Sequence, residues 1–123
     1  MQSSISWFSI HAQDFERAVC FYETVMGYAL RREEINGRPM AIFPGDPEAP
    51  GGAICASTEA NPPGPMGTVV SLFGGEDLNV PLARVEGAGG AVLVPKTLIR
   101  EDIGHYALFR DSEGNHVGLY SMN

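Results

Sequence analysis

Basic residues are scarce in this chain. Eight lysines and arginines stand against 15 aspartates and glutamates in 123 residues, for a net charge of −7. That balance leaves no basic footprint for phosphate backbones or anionic lipid, so neither nucleic acid nor a membrane is an expected partner. No apolar run approaches the roughly 20 residues needed to cross a bilayer. Met1-Gln2-Ser3-Ser4-Ile5 has neither the positive start nor the apolar core of a secretion signal. The two cysteines, Cys20 and Cys55, are too few to staple a domain of this length and suit a reducing compartment. A cytoplasmic protein is expected. Histidine, with three residues, and tryptophan, with one, are also rare, which limits metal and acid–base chemistry to few positions.

Turn-forming residues are plentiful, with 15 glycines and 9 prolines, and hydrophobic residues make up 44% of the chain. One domain of short elements is expected, large enough to bury about two-thirds of its unfolded surface. Ile5 to His11 is β-prone. Asp14 offers an N-cap, and Phe15, Ala18, Val19, Tyr22, Val25 and Met26 then recur at helical spacing until Gly27. Tyr28 to Ile35 and Arg38 to Phe43 flank Asn36-Gly37, a strong hairpin signal. Pro44 to Pro50 reads as a breaker, and Gly51 to Ser57 as a strand of small residues.

Beyond the stiff segment Asn61-Pro62-Pro63-Gly64-Pro65 the order repeats. Thr68 to Phe73 is β-branched, and Glu76-Asp77 opens a second helix carrying Leu78, Leu82 and Val85, with Gly87, Gly89 and Gly90 at its end. Pro81 is tolerable there only within the first turn or so. Strands follow at Ala91 to Val94, Gly104 to Arg110 and His116 to Ser121. The spans Asp14 to Gly27 and Asp77 to Gly90 are equal in length. Met40 to Phe43 answers Tyr106 to Phe109 at nearly the same offset. An internal repeat of roughly 60 residues follows: module one over 1–60, a linker over 61–65 and module two over 66–123. Each half alone buries too little, so the two should share one core in a single domain spanning 1–123.

Three stretches together carry a family resemblance. They are Asp14-Phe15-Glu16-Arg17-Ala18 with Phe21-Tyr22 and Met26-Gly27-Tyr28, then Glu76-Asp77-Leu78 through Gly89-Gly90-Ala91-Val92-Leu93, and finally Asp111-Ser112-Glu113-Gly114-Asn115 leading into His116 to Tyr120. In this the chain resembles the glyoxalase-like branch of the vicinal oxygen chelate superfamily, which includes glyoxalase I, the bleomycin resistance proteins and the extradiol dioxygenases. The resemblance implies an α+β fold in which two tandem β-α-β-β-β modules form an open, cup-shaped, eight-stranded mixed sheet. It also implies a homodimer and a small-molecule ligand in the cup. Metal-dependent relatives place His, Glu or Gln at four strand positions. Here those positions fall on Trp7, Cys55, Val70 or Ser71, and Gly118. One thiol does not hold a metal, so no divalent metal or other cofactor is expected.

Strand parity puts His11 with Trp7 and Ser9 on one face, and His116 with Gly118 and Tyr120 on another. The expected ligand-binding set is therefore Trp7, His11, Cys55, Ser71, His105, His116 and Tyr120. Each has a plainer reading: a surface histidine for His11, a core aromatic for Tyr120, a buried core thiol for Cys55, and an undetermined direction for His105. Trp7 either stacks on a flat ligand or plugs the cup. Glu33-Glu34 and Glu101-Asp102 read as solvated surface. Three functions remain open. One is a metal-free binder of the bleomycin-resistance type. Another is a lyase or isomerase working through His and Tyr acid–base chemistry or, as a lesser alternative, a divalent metal. The third is a non-catalytic interaction protein with a filled cup.

Overall fold

The computed structural model describes residues 3–123. Its first half runs β1 (Trp7–Ala12), α1 (Phe15–Met26), β2 (Arg31–Ile35), β3 (Arg38–Ile42) and β4 (Gly51–Ala56). The second half repeats the order as β5 (Ser71–Phe73), α2 (Asn79–Val85), β6 (Ala91–Arg100), β7 (Gly104–Arg110) and β8 (His116–Ser121). The expected α+β fold of tandem β-α-β-β-β modules is present. Its eight strands form two four-stranded ladders, β1-β4-β3-β2 and β5-β8-β7-β6. In each, the module's first strand pairs parallel with its last, and the remaining pairs are antiparallel.

Local chemistry accounts for the clearest elements. Asp14 caps α1 by accepting from the Arg17 N–H at 3.1 Å, an arrangement worth about 1 kcal/mol. Gly27, at φ 78°, closes the helix with its N–H on the Glu23 carbonyl. Between these caps Ala18, Val19, Phe21, Tyr22 and Val25 are buried, while Cys20 faces solvent. Asn36 and Gly37 both adopt positive φ, 54° and 76°, as the tight hairpin joining β2 to β3 requires.

Four elements depart from their sequence reading, two of them only in being shorter: β2 starts at Arg31 rather than Tyr28, and β5 at Ser71 rather than Thr68. Strand β6 extends through Pro95 to Arg100, well past Val94. Proline lacks an N–H and is expelled from central strands, but β6 is an edge strand whose register shifts between Val94 and Thr97. Helix α2 (Asn79–Val85) starts later than Glu76-Asp77, with the Asn79 N–H on Asp77 Oδ1 at 2.9 Å, and Glu86 at its C-cap keeps helical dihedrals up to the glycines.

One core serves both halves. Tyr22 packs against Phe43 of the first module at 5.7 Å and Phe109 of the second at 6.2 Å, and Phe21 meets Phe109 at 5.8 Å. Burial of each such ring contributes on the order of 1.5–3 kcal/mol. The turn Asp111 to Asn115 locks the modules together by hydrogen bonds. Tyr22 donates its hydroxyl to Asp111 Oδ2, Asn115 Nδ2 donates to the His11 carbonyl at 2.8 Å, and Glu113 accepts from Arg17 at 2.7 Å and from the Asp14 N–H at 2.8 Å. The motif that carried the resemblance most specifically is therefore a structural clasp.

Candidate functional site

The helices cover one face of each ladder, so alternation turns the other set of side chains outward. On β1 these are Trp7, Ser9 and His11, whereas Ile10 and Ala12 enter the core. On β8 they are His116, Gly118 and Tyr120, between buried Val117 and Leu119. Two clefts flank this face along β1, one at each end.

The first cleft has a volume of about 890 Å³ and is walled by Trp7, Tyr28, Ile42, Phe43, Ser71 and Phe73 together with the loop Pro44 to Pro50. Trp7 is 46% exposed and forms a wall of this cleft. The indole lies across Gly51, where a Cβ would stand only 3.5 Å from the ring. Burial pushes the Tyr28 phenol above its usual range, which keeps it a neutral donor. Asp46 stands in the loop with its Oδ1 accepting from the Glu48 N–H at 3.0 Å, while Arg31 is engaged by Glu33. In the sequence the loop had shown only as a breaker, because its wall-forming role depends on β3 and β4 bringing it over Trp7.

The second cleft is smaller, about 400 Å³, and polar: Ser9, His11, Asn61, Thr68 and His116 line it. Asn115 also borders it, but its amide is committed to the His11 carbonyl, to Asp111 and to the Gly64 N–H. Among the described residues, His11 Nδ1 is the only buried side-chain nitrogen or oxygen without a hydrogen-bond partner. Such an atom costs about 1–3 kcal/mol unless something bonds it. Asn61 and Gly64, read as mere linker, belong to this cleft.

The structure thus divides the expected site residues. Trp7 and Ser71 line the first cleft, and His11 and His116 the second. Cys55 lies beside His11 as its partner in the parallel ladder but lines neither cleft. Tyr120 keeps the outward parity, with its hydroxyl bonded to the Ile103 carbonyl. The direction of His105, undetermined from the sequence, is set by its strand. It shares the parity of Ala107 and Phe109, pairs with buried Ser121 and bonds the Met122 carbonyl at 3.1 Å, so it sits on the helix side, away from both clefts.

At the strand positions that the resemblance pointed to, Trp7 pairs with Gly51 and Cys55 with His11. On the other ladder Ser71 pairs with Gly118, and Val70 packs against the core. The residues at the expected positions, Trp7, Cys55, Val70 or Ser71, and Gly118, include one thiol and no His, Glu or Gln, a set that does not fit a divalent metal. Gly118 is confined by Ser71 Oγ, which a Cβ at 118 would strike. Among the described residues no group of three His, Cys, Asp or Glu side chains is placed to hold a metal, and no helix is long and apolar enough to cross a membrane.

The chain matches the family described as Glyoxalase/Bleomycin resistance protein/Dioxygenase superfamily over residues 4–119. Among solved structures, a glyoxalase/bleomycin resistance protein from Streptomyces sp. CB03234 is 25% identical with a TM-score of 0.71, covering 96% of this chain and 100% of that one. TnmS3, an antibiotic binding protein from the same Streptomyces, is also 25% identical, with a TM-score of 0.68 and coverage of 96% and 94%. A hypothetical protein, SA1046 from S. aureus, shares the fold at 21% identity, with a TM-score of 0.68 and coverage of 98% and 93%. No curated protein matches the chain.

Proposed function

Because the chain belongs to the glyoxalase/bleomycin resistance protein/dioxygenase superfamily, we propose that it binds a small molecule in the open face between its two ladders, without the metal that many relatives use. The observation that carries this reading is the first cleft. It is of ligand size, and its wall is the half-exposed indole of Trp7, with Gly51 and Ser71 beside it. Small-molecule sites are mostly apolar clefts of about 300–1,000 Å³ with a few polar groups that orient the ligand. Here Trp7 and Phe73 offer faces for a planar ligand, and Tyr28 and Asp46 offer a donor and an acceptor. The antibiotic-binding neighbour supports a binding role of the resistance type.

Trp7 is the sole tryptophan, so its fluorescence reports this cleft directly. A panel of planar aromatic compounds should quench it with saturation and raise the melting temperature by mass action. Trp7→Ala should abolish the stabilisation with little change in the unliganded melting temperature. Zn²⁺, Ni²⁺ and Mn²⁺ should neither shift the melting point nor remain at one equivalent per chain after dialysis. Stoichiometric retention of any of them would overturn the metal-free part of the reading.

A second reading, an isomerase or lyase using proton transfer, is favoured by the unpartnered His11 Nδ1 near His116. It separates from a binder by His11→Ala, which should abolish turnover while sparing affinity. Two free cysteines fit a cytoplasmic setting. A homodimer is also part of the proposal, supported by exposed Leu93, Leu98 and Ile99 on β6.

A further inference from the structure

The two clefts lie along one strand, β1. Both are lined by β1, and residues that alternate along it, Trp7, Ser9 and His11, project from the same face. On the opposite bank Ser71 and Phe73 border the first cleft, and Thr68 and Val70 the second. Four residues of strand separate Trp7 from His11, which amounts to about 13 Å at 3.3 Å per residue.

The chemistry changes along that distance. The Trp7 end presents aromatic faces. The His11 end has no aromatic face beyond its imidazoles and no carboxylate, lysine or arginine among its lining residues. It has instead the hydroxyls and amide of Ser9, Thr68 and Asn61 and the imidazoles of His11 and His116. A cation desolvated there would meet no carboxylate and an anion no lysine or arginine, whereas hydroxyls both donate to and accept from such neighbours. His11 Nδ1 is the atom left needing a partner.

We infer that the ligand is elongated and two-ended, with a planar aromatic head on Trp7 and a neutral, hydroxyl-rich tail that reaches His11 and His116 roughly 13 Å away. This rests on the binding reading above and specifies its ligand class. Tail contacts add to head contacts without a second loss of translational freedom, so the joined molecule binds more tightly than either end.

The test uses three probes that share one head: 4-methylumbelliferone, its β-glucoside and its β-cellobioside, titrated by calorimetry into wild type, Trp7→Ala, His11→Ala and His116→Ala. The cellobioside is expected to bind wild type at least about tenfold more tightly than the free head. That gain should shrink to less than about threefold in both histidine variants. The free head should bind both of them as it binds wild type, which also reports that they are folded, and Trp7→Ala should weaken all three probes. A cellobioside no tighter than the free head, or a gain that survives both histidine changes, overturns the two-ended ligand and leaves the binding reading standing. Failure of all three probes to bind wild type overturns both.

Discussion

The hydroxyl of Tyr22 donates to Asp111 Oδ2 at 2.7 Å, joining a helix of the first module to the turn before the last strand of the second. Both residues are buried, Tyr22 completely and Asp111 to 2% exposure. Burial, and then the adjacent Asp111 carboxylate, push the phenol well above its usual range, so it remains a donor at any working pH. Asp111 also accepts from the Glu113 and Asn115 N–H groups and from Asn115 Nδ2. A buried carboxylate with four donors is satisfied, and it withstands the loss of none of them cheaply.

Tyr22→Phe keeps the ring and removes one donor from that carboxylate. The expected cost is about 1.5–3 kcal/mol, the range for hydrogen bonds to charged groups, read as a shift in urea midpoint at unchanged slope. Asp111→Ala should cost more, because it strands three N–H donors and one hydroxyl. A Tyr22→Phe cost below about 0.5 kcal/mol would mean that the clasp is not held by this bond.

Glu113 predicts an acid dependence. Burial pushes its carboxyl up, but the Arg17 guanidinium, the Asp14 N–H and the Ser112 hydroxyl outweigh that and hold it below the ordinary 4.5. Its folded value is depressed, so its contribution is complete above the unfolded value and is lost as pH falls through the folded one. Arg17→Met should lower stability at pH 7 and reduce the further loss between pH 5 and pH 3. Equal losses in variant and wild type over that interval would remove Glu113 as the cause.

Gly118→Ala should destabilise by about 1–3 kcal/mol, the usual cost of overpacking. The added methyl would strike Ser71 Oγ. Ser71→Gly in the same chain should restore most of the loss. If the double variant melts no higher than Gly118→Ala alone, the clash is not the reason glycine stands there.

The homodimer is checked by sedimentation at micromolar concentration. Leu98 and Ile99 are 51% and 46% exposed on edge strand β6. Changing both to Asp should convert a dimer to a monomer with the melting curve of the isolated chain nearly unchanged. A wild type that sediments as a monomer throughout would refute the dimer.

Several features could be read from the sequence because their causes lie within a few residues. Asp14, the stripe through Val25 and Gly27 define α1 by capping and helical period. Asn36-Gly37 defines its hairpin by the positive φ both residues accept. The internal repeat and the closing Asp111 to Asn115 turn pointed to the family, and neither needed a tertiary contact to be seen.

The sequence by itself determined that there are two β-α-β-β-β modules and that Trp7 and His11 share a face of β1. Only the tertiary structure decided that Trp7 meets Gly51 while Cys55 meets His11, that His105 faces the helix side, and that β6 runs on past Pro95. It also divided the outward face into an aromatic cleft and a polar one. The reason is physical. Helix period and turn preference are local free energies written in neighbouring residues. Strand register and edge position are chosen by the burial of Tyr22, Ile54, Phe109 and Leu119 in one core, a sum over contacts far apart in the chain.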